Sequence, residues 1–418
     1  MAAPLVLGLR ANWKQFSLLI VVNAFVGSMV GMERTLLPIL GEDVFQVGSR
    51  AAILSFLVTF GVVKAASNAV AGGLADARGR KPVLLVGWVA GIPVPFLLMF
   101  APPPHWWLIV LANVFLGVNQ GLCWSMTVVG KIDLVGPKSR GLAMGLNEFA
   151  GYTAVGVTAL VTGYLAAAYG IQPIPFSVGL VAVAAGLGLS AVAVRETKPY
   201  ADLEADPSSM ASFRSTFAEA TWRNRSLFAC SQGGLVNNLN DGMAWGLLPL
   251  FLAAQGLAPE GIGWVAGLYP LTWGLTQLLT GPASDVIGRK PLLVTGMFLQ
   301  AAAFAGFVVA RDLVAWSAAS LLLGLGTAMV YPTFLSAVSD HARPAARGAI
   351  VGVYRFWRDL GFAVGAAVVG YYADLQGLDA ALLLTAALTF ASGVVILVAL
   401  EEIRGPKALS PREGMPRT

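Results

Sequence analysis

Little in this chain can do covalent chemistry. Its 418 residues include two cysteines and two histidines, and none of the four has a neighbour at metal-ligand spacing. Cys123 and Cys230 fall in or at the edge of apolar runs, where a thiol reads as a small apolar side chain, and His105 and His341 fall in loops, where they read as solvated. Charge is also scarce. Only 12% of residues are Asp, Glu, Lys or Arg, against roughly a quarter in soluble domains. No Gly-x-x-x-x-Gly-Lys-Ser/Thr loop is present, so the sequence offers no phosphate cradle for ATP. Without a nucleophile and base or a metal cluster in the apolar segments, the sequence argues against an enzyme and calls for no cofactor and no metal.

What the chain has instead is apolar length. It is 57% hydrophobic, and a helix needs roughly 20 apolar residues to cross the hydrocarbon core. Twelve such runs are centred near Val26, Val62, Val89, Leu116, Val155, Ala185, Gly242, Tyr269, Met297, Leu325, Ala363 and Leu388. The net charge of +5 does not point to nucleic acid, because the positive residues sort by side. With the N-terminus cytoplasmic, 21 of the 27 Lys and Arg, Lys131 among them, fall in cytoplasmic segments, while Arg50 and Arg311 fall outside. That asymmetry predicts a multi-pass protein of the cytoplasmic (inner) membrane with both termini cytoplasmic. The first apolar run is a span and not a signal peptide, since Gly31-Met32-Glu33-Arg34-Thr35-Leu36-Leu37-Pro38 matches Gly242-Met243-Ala244-Trp245-Gly246-Leu247-Leu248-Pro249.

The match is one of three. Gly72-Gly73-Leu74-Ala75-Asp76-Ala77-Arg78-Gly79-Arg80-Lys81-Pro82 returns as Gly281-Pro282-Ala283-Ser284-Asp285-Val286-Ile287-Gly288-Arg289-Lys290-Pro291, and Arg140-Gly141-Leu142-Ala143-Met144-Gly145 parallels Arg347-Gly348-Ala349-Ile350-Val351-Gly352. The chain is therefore read as a duplication, with a first six-helix bundle at 1–195, a polar cytoplasmic linker at 196–225, and a second bundle with a tail at 226–418. Glycines four apart (Gly117 and Gly121, Gly141 and Gly145, Gly361 and Gly365) are expected to seat helix on helix, and Pro38, Pro249, Pro270 and Pro332 to bend their spans.

The pattern Gly72, Asp76, Gly79, Arg80, Lys81, with its degenerate copy Asp285, Gly288, Arg289, Lys290, resembles the loop motif between spans two and three of the major facilitator superfamily. The resemblance covers the whole chain. It implies an all-α membrane protein with twelve transmembrane helices in two pseudo-symmetric six-helix bundles around a central cavity, spans one, four, seven and ten lining the path and two, five, eight and eleven beside them. It also implies that Asp76, Arg80, Lys81, Asp285, Arg289 and Lys290 latch one conformation, against the plainer reading as topology anchors in the leaflet surface. Two family features are missing. Gly117 stands where proton-coupled members carry an Arg ahead of Gln120-Gly121, and span five lacks the Gly-Pro signature of drug antiporters.

An ionisable side chain facing lipid at the bilayer centre costs at least about 2.5 kcal/mol, so those within spans should face a cavity or each other. The acids are Glu33, Glu148, Asp241 and Asp359; the bases are Arg34, Lys64, Arg355 and Arg358. Lys64 and Asp359, on spans two and eleven, are expected to form a pair that breaks as the halves rock. Glu148 and Arg355 occupy equivalent repeat positions and suit opposite ends of a polar solute. Asp241 and Glu33 are the candidates for taking up a proton, and Glu33 with Arg34 also reads as a static buried pair. Asn119, Gln120 and Trp124, Asn237 and its neighbours, Tyr269, Trp273 and Gln277, Tyr331 and Tyr354 could line a largely apolar site, whereas Trp13, Trp106, Trp107 and Trp316 read as interfacial anchors. The expectation is a monomeric secondary active transporter that moves a small polar or amphiphilic solute by alternating access with protons as the coupling ion, export ahead of import. Uptake of an organic anion is the alternative within that class, and a non-transporting membrane sensor the alternative outside it. The partners are a small-molecule substrate, protons and the lipid bilayer, with no nucleic acid.

Overall fold

The computed structural model describes residues 5–135, 140–201, 213–342 and 347–403, with the side chains of Asp76 and of 140–142, 213–215 and 347–349, Gly141 of the expected glycine pairs among them, outside that description. Twelve long helices lie among these residues, one on each expected centre. α1 (Leu9–Arg34) resumes after a break as Leu37–Ile39 and a π turn, Leu40–Val44. α2 is Ser55–Arg78, α3 Arg80–Gly91 continued by Pro93–Phe100, α4 Trp106–Val135, α5 Arg140–Tyr169 and α6 Ser177–Val192. α7 (Arg225–Gly246) resumes as Leu248–Ala254, followed by α8 (Pro259–Ile287), α9 (Arg289–Val309), α10 (Leu313–His341), α11 (Arg347–Gln376) and α12 (Leu378–Ala399).

Proline acts where the helix can do without an N–H. Pro38 and Pro249 each open the second piece of a broken span, at equivalent places in α1 and α7. Pro270 and Pro332 lie inside α8 and α10 without interrupting them. The linker is partly helical: short helices span Lys198–Ala201 and Phe213–Ala218, and a π turn spans Glu219–Arg223.

Among the described residues, nine helical stretches are apolar and long enough to cross a membrane on composition alone. α7, α8 and α11 fall short because amides, indoles, Arg and Asp dilute them, and lipid alone would not hold such helices. α8 packs on α5 and α11 on α2, so two of the three are seams between the bundles.

The seams close on one side. Both termini of the described chain lie on one face, here the terminal face, and the opposite one is the far face. In the far half, small residues let backbones touch: a Cβ on Gly163 would sit 2.8 Å from the Cα of Gly263, and one on Gly156 2.8 Å from the carbonyl of Gly267. Across the other seam, Gly61 lies against Phe362 and Ala363, and Gly370 against Leu54 and Ala51. Toward the terminal face the same four helices part, and Gly72, Gly73, Gly145, Gly281 and Gly352 have nothing within 4 Å. Gly145 therefore seats no helix, whereas Gly117 and Gly121 seat α4 on α2, and Gly361 and Gly365 seat α11 on α7, as expected.

A clasp holds the far face shut. The Asp374 carboxylate of α11 accepts from Ser49 Oγ at 2.6 Å, Arg50 N at 2.6 Å and Ala51 N at 3.1 Å, capping the first turn of the short helix Arg50–Ile53 in the other bundle.

The terminal face is built twice. Gly79 and Gly288 join α2 to α3 and α8 to α9 with φ of 94° and 110°, a backbone that disfavours any Cβ. Glu196, just past α6, accepts from Arg80 N at 2.8 Å, Lys81 N at 3.1 Å, Thr197 N at 2.9 Å and Lys198 N at 2.9 Å; Glu402, just past α12, accepts from Arg289 N at 2.9 Å and Lys290 N at 2.7 Å. Burial pushes the Glu196 carboxyl up, but these four backbone N–H groups outweigh it and hold the group below the ordinary carboxylate range. The arginines turn inward and do not reach for headgroups. Arg80 Nε donates to Asp133 at 3.0 Å, and Arg289 to Asp340 at 3.1 Å and Asp285 at 2.6 Å. Lys81 Nζ donates to the carbonyl of Ala191 at 2.8 Å.

Candidate functional site

The parted half leaves a cleft between the bundles, roofed by aromatic rings. Tyr152 of α5 stacks on Trp273 of α8 with centroids 3.4 Å apart, tilts against Trp124 of α4 at 5.2 Å and meets the edge of Tyr331 of α10 at 5.7 Å. Four helices from two bundles meet in this layer. Tyr152 and Tyr331 also share a hydroxyl contact of 3.4 Å.

Below the rings a polar chain crosses the second seam. Arg358 Nη1 donates to the Tyr331 hydroxyl at 2.9 Å, and its Nη2 and Nε hold Asp359 Oδ1 at 2.6 and 2.9 Å. Asn68 of α2 donates from Nδ2 to Asp359 Oδ2 at 2.8 Å, and its Oδ1 accepts from Ser125 Oγ of α4 at 2.9 Å. Both carboxylate oxygens of Asp359 are thus taken, and the expected Lys64–Asp359 bridge is not made. Arg358 sits next to Asp359 in sequence and supplies a planar two-nitrogen fork, which a single ammonium cannot match.

Lys64 points its ammonium into a box of three rings, 5.1 Å from Phe362, 5.5 Å from Phe60 and 5.9 Å from Trp124. It has no ion-pair partner among the described residues. Arg355 is likewise half-buried without an acceptor, its Nε fully enclosed. Glu148 takes Trp124 Nε1 at 2.9 Å and Asn147 Nδ2 at 3.1 Å on Oε1, leaving Oε2 buried and unbonded. Lys64, Lys131 and Arg355 all lie within electrostatic reach of Glu148, yet none pairs with it. Lys131 corrects an expectation: it is no loop residue but a fully buried one in α4, its Nζ donating to the Leu19 carbonyl at 3.0 Å.

Near the far face, Arg34 and Glu33 form the expected pair at 3.2 Å, with Asn113 on the second carboxylate oxygen at 3.2 Å. The Arg34 guanidinium is sandwiched between Phe60 at 4.4 Å and Trp245 at 5.0 Å. Arg34 and Trp245 are equivalent residues of the repeat, so they meet near the axis relating the halves. Asp241 accepts the Tyr269 hydroxyl on Oδ1, Thr327 lies 3.4 Å from that hydroxyl, and Asp241 Oδ2 is buried without a partner.

Other expected lining residues bind helix to helix instead. Asn119 donates to the Gly87 carbonyl at 2.9 Å, Gln120 to the Val26 carbonyl at 2.9 Å, and Asn237 accepts from Gln300 at 3.1 Å. Tyr354 is buried against Gly234. A polar stripe on a helix can face a neighbour as well as a cleft, and amides satisfy neighbouring backbone efficiently. Trp316 and Trp106 also turn inward, to the Phe307 carbonyl at 3.3 Å and to Ser55 Oγ at 3.1 Å, leaving Trp13 and Trp107 exposed. His341 is part-buried, with Nδ1 at 2.9 Å from the Ala337 carbonyl. Tyr152, Asn68 and Phe362 were not anticipated; Tyr152 sits one turn from Glu148 on the same face of α5, the signal that could have found it. No group of three metal-ligating side chains occurs among the described residues, and both cysteines are free and buried.

The model of the Major Facilitator Superfamily matches residues 16–237 and again 231–417. The chain is similar to multidrug resistance protein MdtG of Enterobacter lignolyticus, 23% identical over 387 residues covering 90% of each. It is 33% identical over 112 residues to multidrug resistance protein MdtH of Aeromonas hydrophila, a match that spans 25% of this chain and 28% of that protein. Among solved structures, the nucleoside transporter NupG aligns with a TM-score of 0.71 at 13% identity over 92% of this chain and 98% of that one. The human organic anion transporter MFSD10 aligns at 0.64 with 17% identity, over 91% and 99%. These neighbours show the same fold, and none is an enzyme. With two family-model matches falling on the two halves of a twelve-helix, two-bundle chain, the protein belongs to the Major Facilitator Superfamily of membrane transporters.

Proposed function

We propose that the chain exports a small amphiphilic solute across the cytoplasmic membrane by alternating access, driven by protons. The observation that carries this reading is the cleft itself: sealed at the far face by the Asp374 clasp and the Tyr152–Trp273 layer, parted toward the terminal face, and walled with ionisable groups that lipid would not tolerate. The distribution of Lys and Arg supports a cytoplasmic terminal face, which makes this the inward-facing state. The multidrug resistance names of MdtG and MdtH favour export.

Asp241 is the proposed proton carrier. Its carboxylate has one oxygen on Tyr269 and the other enclosed without a partner, so a proton taken up there breaks no existing hydrogen bond. In liposomes containing the full chain, an imposed pH gradient should drive solute flux, and Asp241→Asn should leave folding intact while removing the dependence of flux on the gradient. Unchanged pH dependence in that variant removes Asp241 from coupling. Absence of any driven flux in the unaltered protein would favour a sensor with a transporter fold.

Uptake of an organic anion is the second reading, favoured by the unpaired Lys64 and Arg355. Cellular accumulation on deletion separates the two: it rises if the chain exports and falls if it imports.

A further inference from the structure

Charge in the centre of the molecule does not cancel. Arg34 has Glu33 and Arg358 has Asp359, each at ion-pair distance. Of the unpaired ionisable groups buried or half-buried on the spans around them, Lys64, Lys131 and Arg355 are basic, and Glu148 and Asp241 acidic, so the bases exceed the acids by one. Asp241 is turned to Tyr269, which leaves Glu148 facing three cations it does not contact.

Two of those cations are accessible. Lys131 is closed off on the Leu19 carbonyl. Lys64 and Arg355 are half-buried, lie on α2 and α11 in opposite bundles, and have neither a hydrogen-bond acceptor nor an ion-pair partner among the described residues. A guanidinium nitrogen enclosed without an acceptor costs free energy that a ligand oxygen would recover. Beside Lys64 lies the half-buried ring of Trp124, 5.9 Å from its ammonium and backed by the buried Tyr152 and Trp273.

From this arrangement we infer that the cleft selects a planar organic anion, its carboxylate or similar oxyanion drawn to the unpaired bases Lys64 and Arg355 and its flat apolar body laid on Trp124. The inference rests on the transport reading above and adds the sign of the solute's charge. Lys64 would leave its ring box to meet the anion, and Glu148 would then have a vacated space in which to accept a donor of the solute.

The test is a comparison of three probes on one scaffold: naphthoate, naphthamide and naphthylmethylammonium. Equilibrium dialysis against the full chain in nanodiscs, corrected with empty discs, gives each affinity. Naphthoate should bind about tenfold or more tighter than naphthylmethylammonium, and Lys64→Gln and Arg355→Gln should each remove about that factor for naphthoate while leaving naphthamide unchanged. Lys64→Arg should restore naphthoate binding, which loss of folding could not allow. Tighter binding of the ammonium, absence of naphthoate binding, or naphthoate binding unaffected by either Gln variant overturns the inference. The two readings fail separately. Gradient-driven flux without anion preference removes the charge assignment and keeps the carrier; anion preference without flux does the reverse.

Discussion

At the scale of single residues, the strongest constraint lies outside the cleft. Glu196 caps the start of α3 with its carboxylate and sits against Gly79, where a Cβ on any other residue would collide with that carboxylate. Because the folded carboxyl is held low, its contribution is fully present above the ordinary carboxylate range and disappears as pH falls through the depressed value. Melting of the purified protein should therefore be insensitive to this group near neutral pH and drop in acid; in Glu196→Gln the melting temperature should be lower at neutral pH and the acid drop smaller. An identical acid profile in the variant refutes the capping role. Single residues were also the least legible in sequence. Tyr269, Trp273 and Gln277 share one face of α8 by their spacing of four, and Tyr269 and Trp273 join the aromatic layer. Asn119 and Asn237 look equally polar in sequence but face other helices, since composition gives the angle around a helix and not the identity of the neighbour. Lys64 and Asp359 were placed on the correct seam, yet Arg358, one residue away, wins the carboxylate.

At the scale of elements, the seams explain why α8 and α11 are less apolar than a lipid-facing span. A helix that packs between bundles gives up lipid contact, so its side chains can carry chemistry at lower cost. This was legible, because charges and amides concentrate in these runs. The clasp was not: Asp374 and Ser49 are hundreds of residues apart, and neither stands in a motif. Asp374→Asn should weaken it, since an amide accepts less strongly than a carboxylate from Ser49, Arg50 and Ala51. Hydrogen–deuterium exchange at the backbone amides of Arg50–Ile53 should accelerate in the variant, and exchange at the unaltered rate would show that the contact holds nothing shut.

At the scale of the whole molecule, the duplication was the most legible feature. Three repeat registers, twelve apolar runs and the sorting of positive charge gave the two-bundle plan, and the helices fall on the expected centres. The direction in which the cleft opens was not available from sequence, because either state uses the same helices and the choice rests on small differences between contacts at the two faces. The structure supplies those contacts: Asp374 and the glycine seams on one side, and unfilled space beside Gly72, Gly145, Gly281 and Gly352 on the other.

The paired acids at Glu196 and Glu402 carry one more consequence. Each half fastens its own hairpin with a carboxylate supplied from its own last helix, so neither borrows this fastening from its twin. Severing the polypeptide between residues 201 and 213 leaves both fastenings whole. Two fragments, 1–201 and 202–418, co-expressed as separate polypeptides should co-purify as a complex with the solute affinity of the uncut protein, and recovery of either fragment alone would show that covalent continuity is what makes the halves mate.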